Sequence, residues 1–210
     1  MADLAALTAA IEAGDRATAV TITREAVEEG LDPRTVLGAM TAAMEVIGAK
    51  FQCQEIYVPE MLISARAMKE ATAVLEPVLV KAGIRPEHTA VLGTIKGDLH
   101  DIGKNLVGMM WKGANIEVID LGTNVTPERF VEAAREHDAH IVGISALLTT
   151  TMVGMRDVVA AVRAADLGDV KVIVGGAPVT QDFADMIGAD GYAPDAATAV
   201  EVAKQAVGTV

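Results

Sequence analysis

One change of period divides this chain and limits the folds open to it. Up to about Gly83 the apolar residues recur at helical spacing throughout; beyond Gly83-Ile84-Arg85-Pro86-Glu87 they gather into short runs separated by amphipathic stretches. The first part predicts four helices. They run from Asp3 to Ala13, from the cap Asp15 to Glu29 before Gly30, from the cap Asp32 with Pro33 at the first helical position, and from about Pro59 to Gly83. The third carries Val36, Met40, Met44 and Ile47 on one stripe, and the fourth places Leu62, Ala65, Met68 and Thr72 along successive turns. The second part predicts strands at Thr89 to Ile95, Ile116 to Leu121, Ile141 to Ser145, Val170 to Val174 and, weakly, Asp190 to Ala193. Helices between them open near Asp101, Thr126, Thr149, Thr180 and Asp195. Such repeats need right-handed crossovers and a parallel sheet covered on both faces. The expected architecture is therefore α/β: a five-stranded doubly wound parallel sheet over residues 88–210, preceded by an all-α four-helix domain over residues 1–84.

Charge and cysteine content narrow the function. Seventeen basic against 29 acidic residues leave a net charge of -12, a surface that repels nucleic acid and offers anionic membranes no basic patch. No charge-free run reaches the roughly 18 apolar residues that a membrane span needs. The single cysteine, Cys53, excludes an internal disulfide framework, and Met1-Ala2-Asp3-Leu4 lacks the basic flank of a secretion signal. A cytoplasmic protein with neither nucleic-acid nor membrane partner is expected.

In a doubly wound sheet, ligands sit beyond the C-terminal ends of the strands, where the winding reverses. Three loops converge there: Lys96-Gly97-Asp98-Leu99-His100-Asp101-Ile102-Gly103-Lys104-Asn105, then Ser145-Ala146-Leu147-Leu148-Thr149-Thr150-Thr151, then Gly175-Gly176-Ala177-Pro178. A lone loop histidine is more often a bystander than a ligand. His100, however, is flanked by carboxylates that can orient an imidazole towards a metal. A zinc site would want three or four clustered ligands, whereas His88, His137 and His140 fall at the opposite ends of their elements. One protein ligand points to a metal whose other ligands come from a macrocycle.

At these loops the sequence resembles the cobalamin-binding fold shared by cobalamin-dependent methionine synthase, the corrinoid proteins of methyltransferase systems and several mutases. The signature Asp-x-His-x-x-Gly, then Ser-x-Leu, then Gly-Gly is matched by Asp98-Leu99-His100-Asp101-Ile102-Gly103, Ser145-Ala146-Leu147 and Gly175-Gly176, with the family's spacing between the three parts. A second match lies in the first half. Phe51-Gln52-Cys53-Gln54-Glu55-Ile56-Tyr57-Val58-Pro59-Glu60-Met61-Leu62, followed by Ser64-Ala65-Arg66-Ala67-Met68, resembles the helical cap that mutases lack. Gln54 stands where the family often has Gly. The likeness spans nearly the whole chain and is greatest to the small corrinoid proteins of methyltransferase systems, with a flavodoxin-like, Rossmann-like binding domain behind the cap.

The resemblance implies a cofactor, cobalamin or a related corrinoid, held as methylcobalamin with its own base detached and His100 as the cobalt ligand. It assigns Asp98 to the other ring nitrogen of His100 and Ser145 to Asp98, a His-Asp-Ser relay in which the serine is no nucleophile. Gly97, Leu99, Asp101, Gly103, Leu147, Gly175 and Gly176 would line the corrin and its tail, with Thr149 and the Tyr192-Ala193 stretch beside the tail. Tyr57, Val58, Met61 and Leu62 would shield the other face. The implied function is methyl carriage, cycling between methyl-Co(III) and Co(I), as a subunit and not a complete enzyme. Its partners would be a substrate-specific methyltransferase, an acceptor methyltransferase using a pterin or thiol, and a reductive activator. Two alternatives stand beside it: a cobalamin-binding sensor, which would carry a DNA-binding module and aromatic cap residues, and a cofactor-free flavodoxin-like protein.

Overall fold

A computed structural model describes residues 2–208; the predicted domain ends at residues 1, 209 and 210 lie outside them. The chain divides into two compact units. One comprises the described residues up to Pro86 with Gly113–Asn115, the other Glu87–Lys112 and the chain from Ile116 on.

The first unit holds four helices: α1 (Leu4–Glu12), α2 (Arg16–Glu28), α3 (Pro33–Gln52) and α4 (Val58–Lys81). Their starts follow local chemistry. Asp15 accepts from Thr18 N at 3.1 Å, and Asp32 accepts from Arg34 N and Thr35 N with Pro33 opening the helix behind it. Helix α1 packs on α3 and α2 on α4. The core is aliphatic, with Leu7, Ile11, Met40, Ile47, Met61 and Leu75 all nearly inaccessible. Each such side chain contributes about 1.5–3 kcal/mol by burial. In α4 the buried stripe is Met61, Ser64, Ala65, Met68, Ala71 and Leu75; Ala65 and Met68 lie on it as predicted, whereas Leu62 is exposed and Thr72 only half-buried. A polar tie lies on the same side: Ser64 Oγ donates to the carbonyl of Glu12 at 3.0 Å. Gln54, in the turn between α3 and α4, has φ +60, a left-handed conformation that glycine adopts at lower cost.

The second unit alternates strands and helices. Its elements are β1 (His88–Thr94), α5 (Ile102–Gly113), β2 (Ile116–Asp120), α6 (Pro127–Glu136), β3 (Ile141–Ser145), α7 (Thr149–Met152), α8 (Met155–Ala164), β4 (Lys171–Gly175), α9 (Gln181–Ile187), β5 (Gly191–Ala193) and α10 (Ala196–Ala206). The five strands pair in parallel in the order β2-β1-β3-β4-β5, the doubly wound sheet that the spacing predicts. On one face Val91, Val142, Val172 and Val174 meet Phe130 of α6, Val158 and Val162 of α8 and Phe183 of α9. On the other, Trp111 of α5 donates Nε1–H to the carbonyl of Ala199 in α10 at 2.9 Å. Gly143 in β3 makes room for that indole, since a Cβ there would stand 2.7 Å from it. The helix predicted from Thr149 is broken: α7 ends after one turn and α8 starts beyond Gly154.

Candidate functional site

Strand register assembles the site. Thr94, Ser145, Gly175 and Ala193 are successive partners across β1, β3, β4 and β5, so the last residues of four strands form one row. The chain winds to β2 on one side of β1 and to β3 on the other, which makes the ends of β1 and β3 the switch point. The loops after β1, β3 and β4 leave from that row.

The β1–α5 loop is braced by hydrogen bonds from Thr94, Asn124 and the turn after β3. Gly97 takes φ +85, where any side chain would be strained, and donates its N–H to Asn124 Oδ1 at 2.8 Å. Asn124, itself at φ +57, donates its own N–H to the carbonyl of Asp98 at 3.0 Å, so it clips the loop on both sides of one peptide. Thr94, wholly buried at the end of β1, donates its hydroxyl to the carbonyl of His100 at 2.9 Å.

Asp98 is completely buried at the centre of this loop. Its Oδ1 accepts from the His100 backbone N–H at 3.1 Å and lies 2.7 Å from His100 Nδ1. An ionised carboxylate only accepts, so Nδ1 carries the hydrogen, and in the neutral ring Nε2 is the nitrogen with the lone pair. Oδ2 accepts from Leu147 N at 2.8 Å, Leu148 N at 3.3 Å and Thr151 Oγ1 at 2.8 Å. Burial pushes this carboxyl up, but the hydrogen bonds from Leu147 N, the His100 ring, His100 N and Thr151 outweigh it and hold Asp98 well below the usual carboxylate range. The His100 side chain is 52% exposed and its Nε2 bonds no described residue. The site thus presents one oriented imidazole with a free lone pair. No group of three or more His, Cys, Asp or Glu among the described residues is arranged to hold a metal ion.

The remaining predicted residues fall in three places. Leu99 and Leu147 are exposed, together with Ile102 and Leu148, as apolar side chains of the same two loops. Asp101 accepts from Asn105 Nδ2 at 3.1 Å, Thr149 is the exposed first residue of α7, and a Cβ on Gly103 would meet no protein atom within 4 Å. Gly175 and Gly176 serve the chain's own packing. A Cβ on Gly175 would stand 2.8 Å from the Ala193 carbonyl oxygen, and one on Gly176, at φ +128, only 1.8 Å from that of Ala146. In the helical unit Tyr57 and Leu62 are exposed, and Val58 is half-buried as the first residue of α4. Met61 is 1% exposed on the face that carries Ser64 and Met68, which corrects its assignment as a shield: it packs the bundle.

Ser145 differs as well. It was expected to bond Asp98, but that oxygen takes its donors from Leu147, Leu148 and Thr151, because the β3–α7 turn brings the first helical turn onto the carboxylate. Thr94, Asn124 and Asp120 escaped sequence reasoning, and Lys104, placed in the first loop, had no role assigned to it. Lys104 Nζ, buried in α5, donates to both carboxylate oxygens of Asp120 at 2.6 Å and to Asn105 Oδ1 at 2.7 Å. Asp120 Oδ1 also accepts from Gly122 N at 2.9 Å, which ties the end of β2 to the segment bearing Asn124.

Comparison with known proteins places this geometry. Residues 88–201 match the B12 binding domain family, and residues 4–76 match a second family that is also described as a B12 binding domain. A corrinoid protein of Desulfitobacterium hafniense is 43% identical over 95% of this chain and 94% of its own length. Dimethylamine corrinoid protein 3 of Methanosarcina acetivorans is 40% identical over 93% of this chain and 88% of its own. Among solved structures, a chain of the methanol:cobalamin methyltransferase complex from Methanosarcina barkeri superposes with a TM-score of 0.86 at 28% identity, over 99% of this chain and 80% of that one.

The residues present fit a corrinoid. A cobalt ion already held by a macrocycle needs a single neutral nitrogen from the protein, and His100 offers Nε2 with its tautomer set by Asp98. The open space at Gly103 and the exposed apolar Leu99, Ile102, Leu147 and Leu148 of the adjoining loops suit a large, partly apolar macrocycle. With matches over both halves and relatives aligned along nearly its whole length, this chain belongs to the family of corrinoid proteins built on the B12 binding domain.

Proposed function

We propose that the protein is a methyl carrier: a corrinoid held at His100 receives a methyl group from a substrate on one methyltransferase and yields it to an acceptor on another. The observation that carries this reading is the Asp98–His100 pair at the switch point of the sheet, where a fully buried carboxylate fixes an exposed imidazole with its Nε2 lone pair free. The bound corrinoid supplies cobalt chemistry that accepts and releases methyl groups. The protein's own residues ligate, orient and make room. His100 would donate its Nε2 lone pair; Asp98 would hold the Nδ1 hydrogen and so keep that lone pair outward. Ser145, at the end of β3, would line the site beside this pair without bonding it. Gly103 would leave space at the start of α5 for the detached base of the cofactor, and Leu99, Ile102 and Leu147 would exclude water around the ligand. Tyr57 and Leu62 are the candidates for contact with the corrin from the helical unit.

The relatives named for dimethylamine and methanol systems support a methyltransferase as partner. The acceptor methyltransferase, a reductive activator and a cytoplasmic location belong to the same proposal. No helix among the described residues is long and apolar enough to cross a membrane. A cobalamin-binding sensor, the alternative open from sequence, gains nothing from these relatives. The test is reconstitution with cobalamin followed by methyl transfer with candidate methyltransferases. Tight binding that His100→Gly weakens, and transfer that depends on the carrier, are expected; a protein left colourless after reconstitution would refute the reading.

A further inference from the structure

We infer that Asn124 is a positioning residue of the His100 site: its side-chain oxygen and its own N–H together hold the Gly97–Asp98 backbone, and so fix the place from which Asp98 orients the His100 ring. The inference rests on the corrinoid reading above.

Gly97 stands at φ +85 with no side chain to pack, and the turn is closed from within by the Asp98 N–H, which donates to the carbonyl of Ile95 at 3.1 Å. Two further bonds hold this pair from outside the loop, and both come from Asn124. Gly97 donates its N–H to Asn124 Oδ1 at 2.8 Å, and the Asn124 N–H donates to the Asp98 carbonyl at 3.0 Å. A backbone amide offers only a hydrogen, so the Asn124 side chain turns its oxygen and not its nitrogen to the loop. The Asp98 carboxylate spans two short contacts, 2.7 Å to His100 Nδ1 and 2.8 Å to the Leu147 N–H. Drift of its backbone therefore lengthens at least one of them.

Asn124 can act as a clip because the segment bearing it is itself fixed. The Thr94 N–H donates to the Gly122 carbonyl and the Val125 N–H to the Thr94 carbonyl, each at 2.9 Å, and Ile95 forms a parallel bridge with Val125. Behind them Asp120 Oδ1 accepts from Gly122 N at 2.9 Å while the buried Lys104 holds the same carboxylate. Asn124 takes φ +57, a left-handed conformation that asparagine tolerates better than most residues. The residue is exposed, so removing its side chain opens no cavity in the core.

The experiment compares the full-length wild type with Asn124→Gly, which keeps the backbone conformation and removes only the side-chain acceptor, and with Asn124→Asp, which tolerates the same conformation and keeps an acceptor oxygen. In each unliganded protein, hydrogen exchange reads the protection of the Gly97 amide, and nitrogen-15 spectra read the tautomer of the His100 ring. In each cobalamin complex, electron paramagnetic resonance of the cobalt(II) form reads the ratio of histidine-bound to histidine-free cofactor. Asn124→Gly is expected to speed exchange at Gly97 and to lower the histidine-bound ratio, each about fivefold, the net worth of one hydrogen bond, and to weaken the Nδ1–H tautomer. Asn124→Asp is expected to stay within about twofold of wild type, because the bond to Gly97 survives. A merely structural role would change the thermal midpoint and leave ring and cobalt spectra as they are. Unchanged ring spectra and histidine-bound ratio in Asn124→Gly, whatever the amide exchange, would overturn the inference, as would an Asn124→Asp variant that loses as much as Asn124→Gly. Should Asn124→Gly fail to fold, Asn124→Ser, whose oxygen is one atom nearer its own backbone, carries the same comparison. If wild type takes up no cobalamin, the corrinoid reading fails, while exchange and ring spectra of the unliganded proteins still decide the role of Asn124.

Discussion

The Lys104–Asp120 pair is lopsided, and that predicts an unequal response to losing either partner. The Lys104 side chain is 1% exposed, whereas that of Asp120 is 43% exposed. Asp120→Ala leaves an ammonium buried with only Asn105 Oδ1 at 2.7 Å as acceptor. Removing one partner of a buried pair costs about 3–5 kcal/mol, and the surviving Asn105 bond puts this case near the lower end, about 3 kcal/mol. Lys104→Met removes the buried charge and leaves Asp120 with water and the Gly122 N–H, at a cost under about 1.5 kcal/mol. The double variant should resemble Lys104→Met alone. Urea unfolding followed through Trp111 reports on this unit, because the indole is 1% exposed and is the protein's only tryptophan. At a slope of about 2 kcal/mol per molar, Asp120→Ala should lower the midpoint by about 1.5 M and Lys104→Met by less than half as much. Equal losses in the two single variants, or additive losses in the double, would refute a buried charge as the source of the asymmetry.

Glycines of the site should separate by role. Gly176→Ala places a methyl 1.8 Å from the Ala146 oxygen and should abolish stable folding of the sheet unit, whereas Gly103→Ala meets nothing, keeps or raises the thermal midpoint, and weakens corrinoid binding in titrations. Asp98 is held below its ordinary pKa in the folded protein, so its contribution is present above the unfolded value of about 3.9 and is lost as pH falls through the folded one. Asp98→Asn should therefore destabilise the unliganded protein more at pH 7 than at pH 3, and an equal deficit at both would count against the assignment. Met61→Ala should cost about 2–5 kcal/mol in thermal or urea unfolding of the helical unit, and Tyr57→Ala, at a 66% exposed position, under about 0.5 kcal/mol. Gln54→Gly relieves a left-handed conformation and should leave stability unchanged or raise it by up to about 1 kcal/mol.

Much of the fold was legible because each unit carries its own period. Asp15, Asp32 with Pro33, and Thr180 mark helix starts by chemistry that acts within three residues, and the structure uses all three. In α4 Ala65 and Met68 were legible as core, but Leu62 and Met61 are equally apolar; Met61 faces inward, on the side where Ser64 bonds Glu12, a residue far away in the chain. The break between α7 and α8 has a similar origin, since the first turn after β3 is held in place by Asp98 and not by its own helical sequence.

The same distinction between local and distant causes explains the site. Asp98 and His100 were legible because a two-residue spacing in one loop is enough to close the bond between them. What holds Asp98 arrives from elsewhere: Thr151 and the Leu147 amide from beyond β3, and Asn124 from beyond β2. Three adjacent threonines gave no sign which hydroxyl would reach the carboxylate, because the choice follows from the single turn of α7, and Ser145 was the more natural candidate only while that turn was unknown. Gly175 and Gly176 teach the converse. A glycine pair in a ligand loop suggests room for the ligand, yet here its first duty is to let the carbonyls of Ala146 and Ala193 approach. Removing side chains at β4 thus draws the loop after β3 and the end of β5 inward. That close approach sets where Leu147 and Thr151 stand, and through Asp98 it sets the direction of the His100 ring.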